Sequence, residues 1–346
     1  MDSIAGKNIF VGLSGGVDSA VSAALLQKQG AEVTGVFIKG WYPPGMPCTW
    51  AQDRRDAMRV AAHLGIPFHT LDASKEYKQG VIDYLISEYA AGRTPNPDIM
   101  CNREVKFGAF YRFAKEHGAD FIATGHYAQA REGSLMRGVD SSKDQSYFLW
   151  AVPKEAMTQT LFPVGGIPKR EVRILAQKFD LPVAEKKDSQ GICFLGSISV
   201  DEFLRKELET TGGDVLDEEG KKIGTHDGAV LHTLGERIVP HGAESGPWYV
   251  IRKDLNTNTL TVRHGNAALE VPPNTLKLRE TNWFNTEALM GTIQAQYRYH
   301  GTVITGSFDL ETNTFTPEGS FKEPVASGQS LVLYLGDTCL GGGIIE

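Results

Sequence analysis

Residues 12–19 read Gly-Leu-Ser-Gly-Gly-Val-Asp-Ser, between the apolar run Ile9, Phe10, Val11 and the helically spaced Ala20, Val21, Ala23, Ala24, Leu25 and Leu26. This pattern predicts a strand, a tight turn and a helix. Gly15 and Gly16 let backbone N–H groups approach an anion without a Cβ in the way, and the helix N-terminus behind them adds partial positive charge. Asp18 and Ser19 put a carboxylate, suited to capping or to a metal, and a hydroxyl in the same turn. No Lys-Ser or Lys-Thr pair closes the loop, so it is not a Walker A motif, and Gly-x-Gly-x-x-Gly does not fit. A glycine-rich turn capped by Ser14 or Asp18 is the plainer alternative.

The alternation continues to about residue 125. Apolar runs at 9–13, 33–38, 68–71 and 121–123 are separated by helical stretches at 53–64, 81–91 and 107–117. Strand and helix in turn predict an α/β fold with a doubly wound parallel sheet, whose ligands lie at the carboxyl ends of the strands. The phosphate loop falls at such an end. Ile38 ends the second strand, where an adenine could lie, and Gly125 follows the strand at 121–123, where it would let a nucleotide near the main chain.

Three segments differ from a plain nucleotide domain. Residues 93–98 (RTPNPD) carry two prolines in three positions, which predicts an extended loop leading to Cys101. Residues 141–150 (SSKDQSYFLW) begin polar and end helical, and 168–179 form a helix opened by Pro168. Residues 186–194 (KKDSQGICF) make a polar loop that delivers Cys193. After about residue 200 short strands and turns take over, with a hairpin at 248–252 and 259–263 and strands within 291–308 and 329–345. The expected organisation is an α/β nucleotide domain over 1–202, a small β-rich central domain over 203–275, and a C-terminal β-barrel over 276–346.

The net charge is −7, yet residues 101–206 hold 16 Lys and Arg against 13 Asp and Glu, while 207–346 hold 10 against 19. A polyanion would therefore meet the middle of the chain, though a mixed solvated surface explains these counts equally well. No apolar run approaches the roughly 20 residues of a membrane span, and the start MDSIAGKNIF has no leader-like pattern, which predicts a cytoplasmic protein. Cys48, Cys101, Cys193 and Cys339 lie 53, 92 and 146 residues apart, without a Cys-x-x-Cys pair. That argues against a zinc site and points to individual thiol chemistry. Cys48 and Cys339 read as small buried apolar residues. Cys101 and Cys193 sit in polar segments, and Lys186 and Lys187, if they face Cys193, would raise its thiolate fraction.

Ser-Gly-Gly-Val-Asp-Ser resembles the pyrophosphatase loop of enzymes that cleave ATP between its α and β phosphates. With NPDIMCNREVKF, ATGHYA, KDQSYFLW, DSQGICF and GDTCLGGGII, in this order over nearly the whole chain, it resembles the tRNA-specific 2-thiouridylase family. The resemblance implies an ATP-dependent sulfurtransferase that adenylates the C2 oxygen of a wobble uridine in tRNA and replaces it with sulfur. It implies ATP, with Mg²⁺ on the phosphates and Asp18 as one contact, against Gly12, Leu13, Ser14, Gly15, Gly16, Val17, Asp18, Ser19, Ile38 and Gly125. Asn96, Pro97 and Asp98 would meet the target base. Lys143, Asp144 and Gln145, and Arg298 and Tyr299 on a barrel strand, would meet the tRNA. Cys193 would carry sulfur as a persulfide delivered by a donor or relay protein, with Cys101 as its catalytic partner, to which it becomes disulfide-bonded on sulfur release. Asp98 would orient or deprotonate the base or the cysteine.

The free protein is expected to be a monomer without a dedicated metal site. The segment 238–247 lacks the glycine-rich run that follows Gly-x-Arg in this family, here Gly235-Glu236-Arg237, and the loop 41–50 is short and Pro-rich. A different ATP-pyrophosphatase ligase without an RNA substrate, and an RNA-binding scaffold with a relic nucleotide site, are the alternatives.

Overall fold

Strand β1 (Asn8–Gly12) lies inside a parallel sheet with β2 (Glu32–Lys39), β3 (Phe68–Asp72), β4 (Phe121–Ala123) and a short strand Thr160–Leu161. The order is β3-β2-β1-β4-Thr160–Leu161. The computed structural model describes residues 3–43, 50–188, 200–243, 246–265, 275–321 and 324–346. β1 pairs with β2 from Asn8↔Glu32 to Gly12↔Val36, and with β4 from Ile9↔Phe121 to Val11↔Ala123. Winding runs outward from β1 in both directions, so a crevice opens between the ends of β1 and β4.

Both faces of the sheet are covered, as expected for buried parallel strands. Side-chain alternation sends Ile9 and Val11 to one face and Phe10 to the other. Ile9 and Val11 pack with Val21 of α1 (Val17–Lys28), Val60 of α2 (Trp50–Leu64), and Val172 and Ala176 of helix Lys169–Lys178. Phe10 joins Val36, Ile122, Tyr77, Leu85, Val105 and Phe110 in the second core.

The helices of the second face differ from the simple stretches expected at 81–91 and 107–117. A helical run from Ser74 to Ala90 contains a wide π-helical segment, Lys78–Asp83, and a run from Pro97 to Glu116 contains another, Cys101–Ala109. The expected extended loop at 93–98 is therefore cut short. Pro97 is the first helical residue, where a missing N–H costs nothing, and Asn96 caps the helix by accepting from the N–H groups of Asp98 (3.1 Å) and Ile99 (3.4 Å). Cys101 is then not in a polar loop but at the start of a π segment, fully buried in the second core.

The central domain is a sheet ordered Arg237–Ile238, Trp248–Asp254, Thr259–His264, Gly213–Leu216, Lys222–His226, around Val215, Val250, Leu260 and Val262. The C-terminal strands run Leu276–Trp283, Thr314–Pro317, Val303–Asp309, Ile293–Gln296, Ser330–Leu335, Thr338–Ile345. The last pairs back onto the first, Leu278↔Ile345, which closes the barrel. The parallel-sheet domain adds its hairpin Ala128–Arg131 and Ser134–Arg137 to the barrel strand Thr338–Ile345, through Met136↔Thr338 and Leu135↔Cys339. Cys339 is fully buried there, and burial pushes its thiol up to about 12.

Candidate active site

The phosphate loop emerges from β1 at the crevice. Leu13 N–H donates to the Val36 carbonyl at 2.8 Å, which holds the loop to the end of β2. Gly16 N–H donates to Ser14 Oγ (3.3 Å), Ser14 N–H to Ser19 Oγ (3.2 Å), and Ser19 Oγ to the Gly16 carbonyl (3.3 Å). These bonds fold residues 14–19 into a closed turn at the head of α1. Gly15 has φ +76°, and a Cβ there would collide with the Asp53 carbonyl of α2. Glycine is thus required at 15 by conformation and by space. At Gly125 a Cβ would stand 2.7 Å from Ser19 N, so the close approach made there is by the head of α1 itself.

The cation absent from the loop comes from a distant helix. Lys169, the first residue of helix Lys169–Lys178, donates from Nζ to both oxygens of Asp18 (2.7 and 2.8 Å) and pairs with Asp188 at 2.9 Å. Tyr127 donates its hydroxyl to Asp18 at 2.7 Å, and burial together with the Asp18 charge pushes that phenol far above its ordinary range. Asp188 also pairs with Arg173 (2.6 Å) and Lys143 (3.4 Å). Burial works to raise its carboxyl, but the Lys169 hydrogen bond and the three cations hold it below the usual range. The phosphate loop is thereby tied to the base of the segment that leads to Cys193.

The Lys143-Asp144-Gln145 motif braces the same place. Lys143 contacts Asp188 and remains part-exposed. Asp144 is buried, accepting from Arg137 (3.0 Å), Gly138 N–H (2.9 Å) and Ser146. Gln145 accepts from Tyr127 N–H at 2.9 Å, steadying the phenol that meets Asp18. Lys186 pairs with Asp53 and Asp56, both at 2.8 Å, so its charge is balanced by α2. Cys193, with the rest of residues 189–199, and Cys48 lie outside the described residues.

The helical run Pro97–Glu116, which carries Cys101, packs on the second face of the sheet. Asn102 donates to the Phe148 carbonyl at 2.9 Å, fastening Cys101 beside helix Ser146–Leu149, which follows the Lys143–Gln145 motif. Farther along, Lys106 Nζ stands 3.4 Å from His126 Nε2, and the Phe110 ring lies where a Cβ added at Gly12 would touch it, at 3.5 Å. His126 is buried, with Nδ1 at 2.7 Å from Thr124 Oγ1. Burial, then the Lys106 charge, hold its imidazole neutral well below the usual histidine range. Asn96, Pro97 and Asp98 sit half-buried in the helix start, and Ile38 is buried beside Gly12.

Arg298 and Tyr299 follow the barrel strand Ile293–Gln296 rather than lying on it. Arg298 donates to the carbonyls of Leu234 and Pro324, both at 3.1 Å, bridging central domain and barrel. Tyr299 is exposed and lies against Phe148, with ring centroids 4.4 Å apart and planes tilted by 47°. Lys169, Tyr127, His126 and Lys106 were not singled out from sequence. The signal for Lys169 was only its place beside Pro168 at a helix start. For the Mg²⁺ expectation, no group of three or more His, Cys, Asp or Glu side chains able to hold a metal occurs among the described residues. Asp18 already takes three hydrogen bonds, so Mg²⁺ fits this site as a companion of nucleotide phosphates, not as an ion held in a protein cage.

Three family descriptions match in sequence: tRNA methyl transferase HUP domain over residues 7–197, tRNA methyl transferase PRC-barrel domain over 201–264, and aminomethyltransferase beta-barrel domain over 273–345. Among curated relatives, the tRNA-specific 2-thiouridylase MnmA of Klebsiella pneumoniae subsp. pneumoniae is 45% identical, covering 98% of this chain and 97% of its own. Those of Pseudomonas fluorescens and Shewanella frigidimarina are 44% and 43% identical, over 98% and 99% of this chain and 95% and 96% of theirs. With matches of this extent on top of the loop, the switch-point crevice and the closed barrel, the chain belongs to the tRNA-specific 2-thiouridylase family.

Proposed function

We propose that this chain catalyses ATP-dependent 2-thiolation of the wobble uridine of tRNA. The observation that carries the reading is one crevice. At the β1/β4 switch point a phosphate loop without its own lysine receives Lys169, and the helical run that carries Asp98 and Cys101 brings Lys106 to His126, just past the end of β4. Relatives similar over nearly their full length are named for this reaction.

ATP lies on residues 12–19 with Ile38 and Gly125 beside the nucleoside, and Mg²⁺ bound to the phosphates would neutralise part of their charge, with Asp18 as the nearest carboxylate of the loop. The uridine C2 oxygen attacks the α-phosphorus, an O–P bond forms, and the bond to pyrophosphate breaks. Lys169 faces the charge that grows on the departing pyrophosphate, where a pre-placed cation acts without reorganisation. AMP is then a good leaving group where the C2 oxygen was a poor one. The terminal sulfur of a Cys193 persulfide attacks C2, and AMP departs with the former C2 oxygen. Cys101 thiolate attacks the Cys193 sulfur, releasing 2-thiouridine and leaving a Cys101–Cys193 disulfide that an external thiol reductant reopens. Asp98 orients the base or accepts its proton. Asn96 and Pro97 flank the base, Lys143, Arg298 and Tyr299 meet the tRNA, Asp144 braces the Lys143 loop through Arg137 and Ser146, and Gln145 holds Tyr127 in place. Sulfur comes from a persulfide-bearing relay protein, and the enzyme acts as a cytoplasmic monomer. Among the described residues no helix is long and apolar enough to cross a membrane.

Mass spectrometry of tRNA nucleosides from cells lacking and regaining this chain tests the reading. Loss and return of wobble 2-thiouridine, with AMP and pyrophosphate formed in the purified reaction, are expected. Stoichiometric ADP, or pyrophosphate release indifferent to tRNA, overturns it.

A further inference from the structure

One dipeptide of the barrel grips both flanks of residues 96–101. On the N-terminal flank, buried Glu88 accepts two hydrogen bonds from Arg93 (2.8 and 2.6 Å) and another from Arg279 of the barrel strand Leu276–Trp283. On the C-terminal flank, Arg103 donates to Glu280 of the same strand at 3.1 Å and to Glu104 at 2.7 Å. Arg279 donates to Glu280 at 2.8 Å, so Arg93, Glu88, Arg279, Glu280, Arg103 and Glu104 form one connected chain of charges. Thr94 extends the grip. Its N–H donates to the Ser327 carbonyl (2.9 Å), and its carbonyl accepts from Gln329 (2.6 Å).

Neighbouring residues of a regular strand point to opposite faces, so 279 and 280 could not both turn to the catalytic domain. The strand solves this with an irregularity. Its register against Thr338–Ile345 shifts between Arg279 and Asn282, and Glu280 adopts φ +49°, the left-handed region that a glutamate rarely enters. The ion pair obtained this way is a weak one for stability, because Glu280 is 41% and Arg103 27% exposed. Backbone strain kept for a weak, part-exposed pair beside a catalytic helix indicates a requirement for placement.

We propose that Arg279 and Glu280 are positioning residues through which the barrel holds the helix of Asp98 and Cys101 in register with the phosphate loop. The inference rests on the thiolation reading for its kinetic test and on Cys101 itself for a second one. Glu280→Gly is the decisive variant, since glycine relieves the left-handed strain while deleting the carboxylate. Its thermal midpoint should stay within about 1 °C of wild type, a shift smaller than the usual single-substitution cost for a chain of this length. Its ATP affinity and tRNA KM should stay within about twofold, while kcat for thiolation falls roughly 10- to 100-fold, the scale of a 1 Å misplacement. Under reducing conditions Cys101 should be alkylated faster by iodoacetamide, read by peptide mass spectrometry. Glu280→Gln, which keeps an acceptor for Arg103, should recover most of kcat. Arg103→Gln combined with Glu280→Gly should cost no more than Glu280→Gly alone. Wild-type kcat and alkylation in Glu280→Gly, or a loss confined to KM or tracking a lowered midpoint, overturns the proposal. If the wild type forms no 2-thiouridine, the functional reading fails and the alkylation rates alone decide this one.

Discussion

Lys169→Met removes a cation whose Nζ lies 2.7 and 2.8 Å from the Asp18 oxygens and 2.9 Å from Asp188, with its side chain only 13% exposed. Methionine keeps the length and the helix propensity, so the loss is one of charge and donors. A charge-assisted hydrogen bond contributes about 1.5–3 kcal/mol. Asp18 keeps Tyr127, and Asp188 keeps Arg173 and Lys143, and each carboxylate is about a third exposed. The stability loss should therefore lie near the low end, about 2 kcal/mol for the pair of carboxylates. The cost to the reaction should be larger, because a pre-placed donor at a site of growing charge contributes about 3–4 kcal/mol. That is a fall of roughly 10²–10³ in the rate of tRNA-dependent pyrophosphate release. The assay is single-turnover release of pyrophosphate with saturating ATP and tRNA, alongside thermal unfolding of the same preparations. Lys169→Arg should retain more activity than Lys169→Met. A Lys169→Met enzyme that releases pyrophosphate at the wild-type rate while losing about 2 kcal/mol of stability would refute a role in the chemistry and leave Lys169 as a fastener of its helix.

Gly15→Ala should destabilise the fold by more than about 2 kcal/mol, from positive φ plus collision with Asp53, and abolish ATP binding by calorimetry; an unperturbed, ATP-binding variant would contradict the loop geometry. Lys253 donates to the His232 carbonyl, and burial lowers its ammonium from 10.5 to about 8. The unfolded chain holds that proton more tightly, so the penalty is fully present below pH 8 and fades between 8 and about 10.5. Wild type should accordingly gain stability over Lys253→Met as the pH rises from 7 to 10, and a constant difference would rule this out. Cys193→Ser should lose both persulfide loading and thiolation, whereas Cys101→Ser should load sulfur and adenylate tRNA without releasing product. Intact-protein mass spectrometry reads the added sulfur, and a label that survives in Cys193→Ser would reverse the two roles.

The phosphate loop, the strands that lead into the crevice and the change to short strands after residue 200 were legible because each rests on local rules. Glycine conformation, the two-residue period of strands and the preference of Pro for a helix start act within a few neighbours. The same rules misjudged residues 93–101. Two prolines suggested an extended loop, but Pro97 occupies a helical position that tolerates it, and Cys101 is the buried first residue of a π segment whose hydrogen bonds no residue pattern announces.

What the sequence determined by itself is the kind of chemistry: an anion-binding turn at a strand end, a doubly wound sheet, and thiols outside any metal-binding spacing. Only the tertiary structure decided which residues complete it. Lys169 meets Asp18 across 151 positions and Glu280 meets Arg103 across 177, because the helices and strands that carry them are docked by burying apolar faces common to many sequences. The barrel hairpin at 128–137 belongs by sequence to the nucleotide domain and by hydrogen bonding to the barrel. An edge strand's unpaired N–H and C=O groups take whichever strand the packed cores bring beside them, and that choice is made in three dimensions.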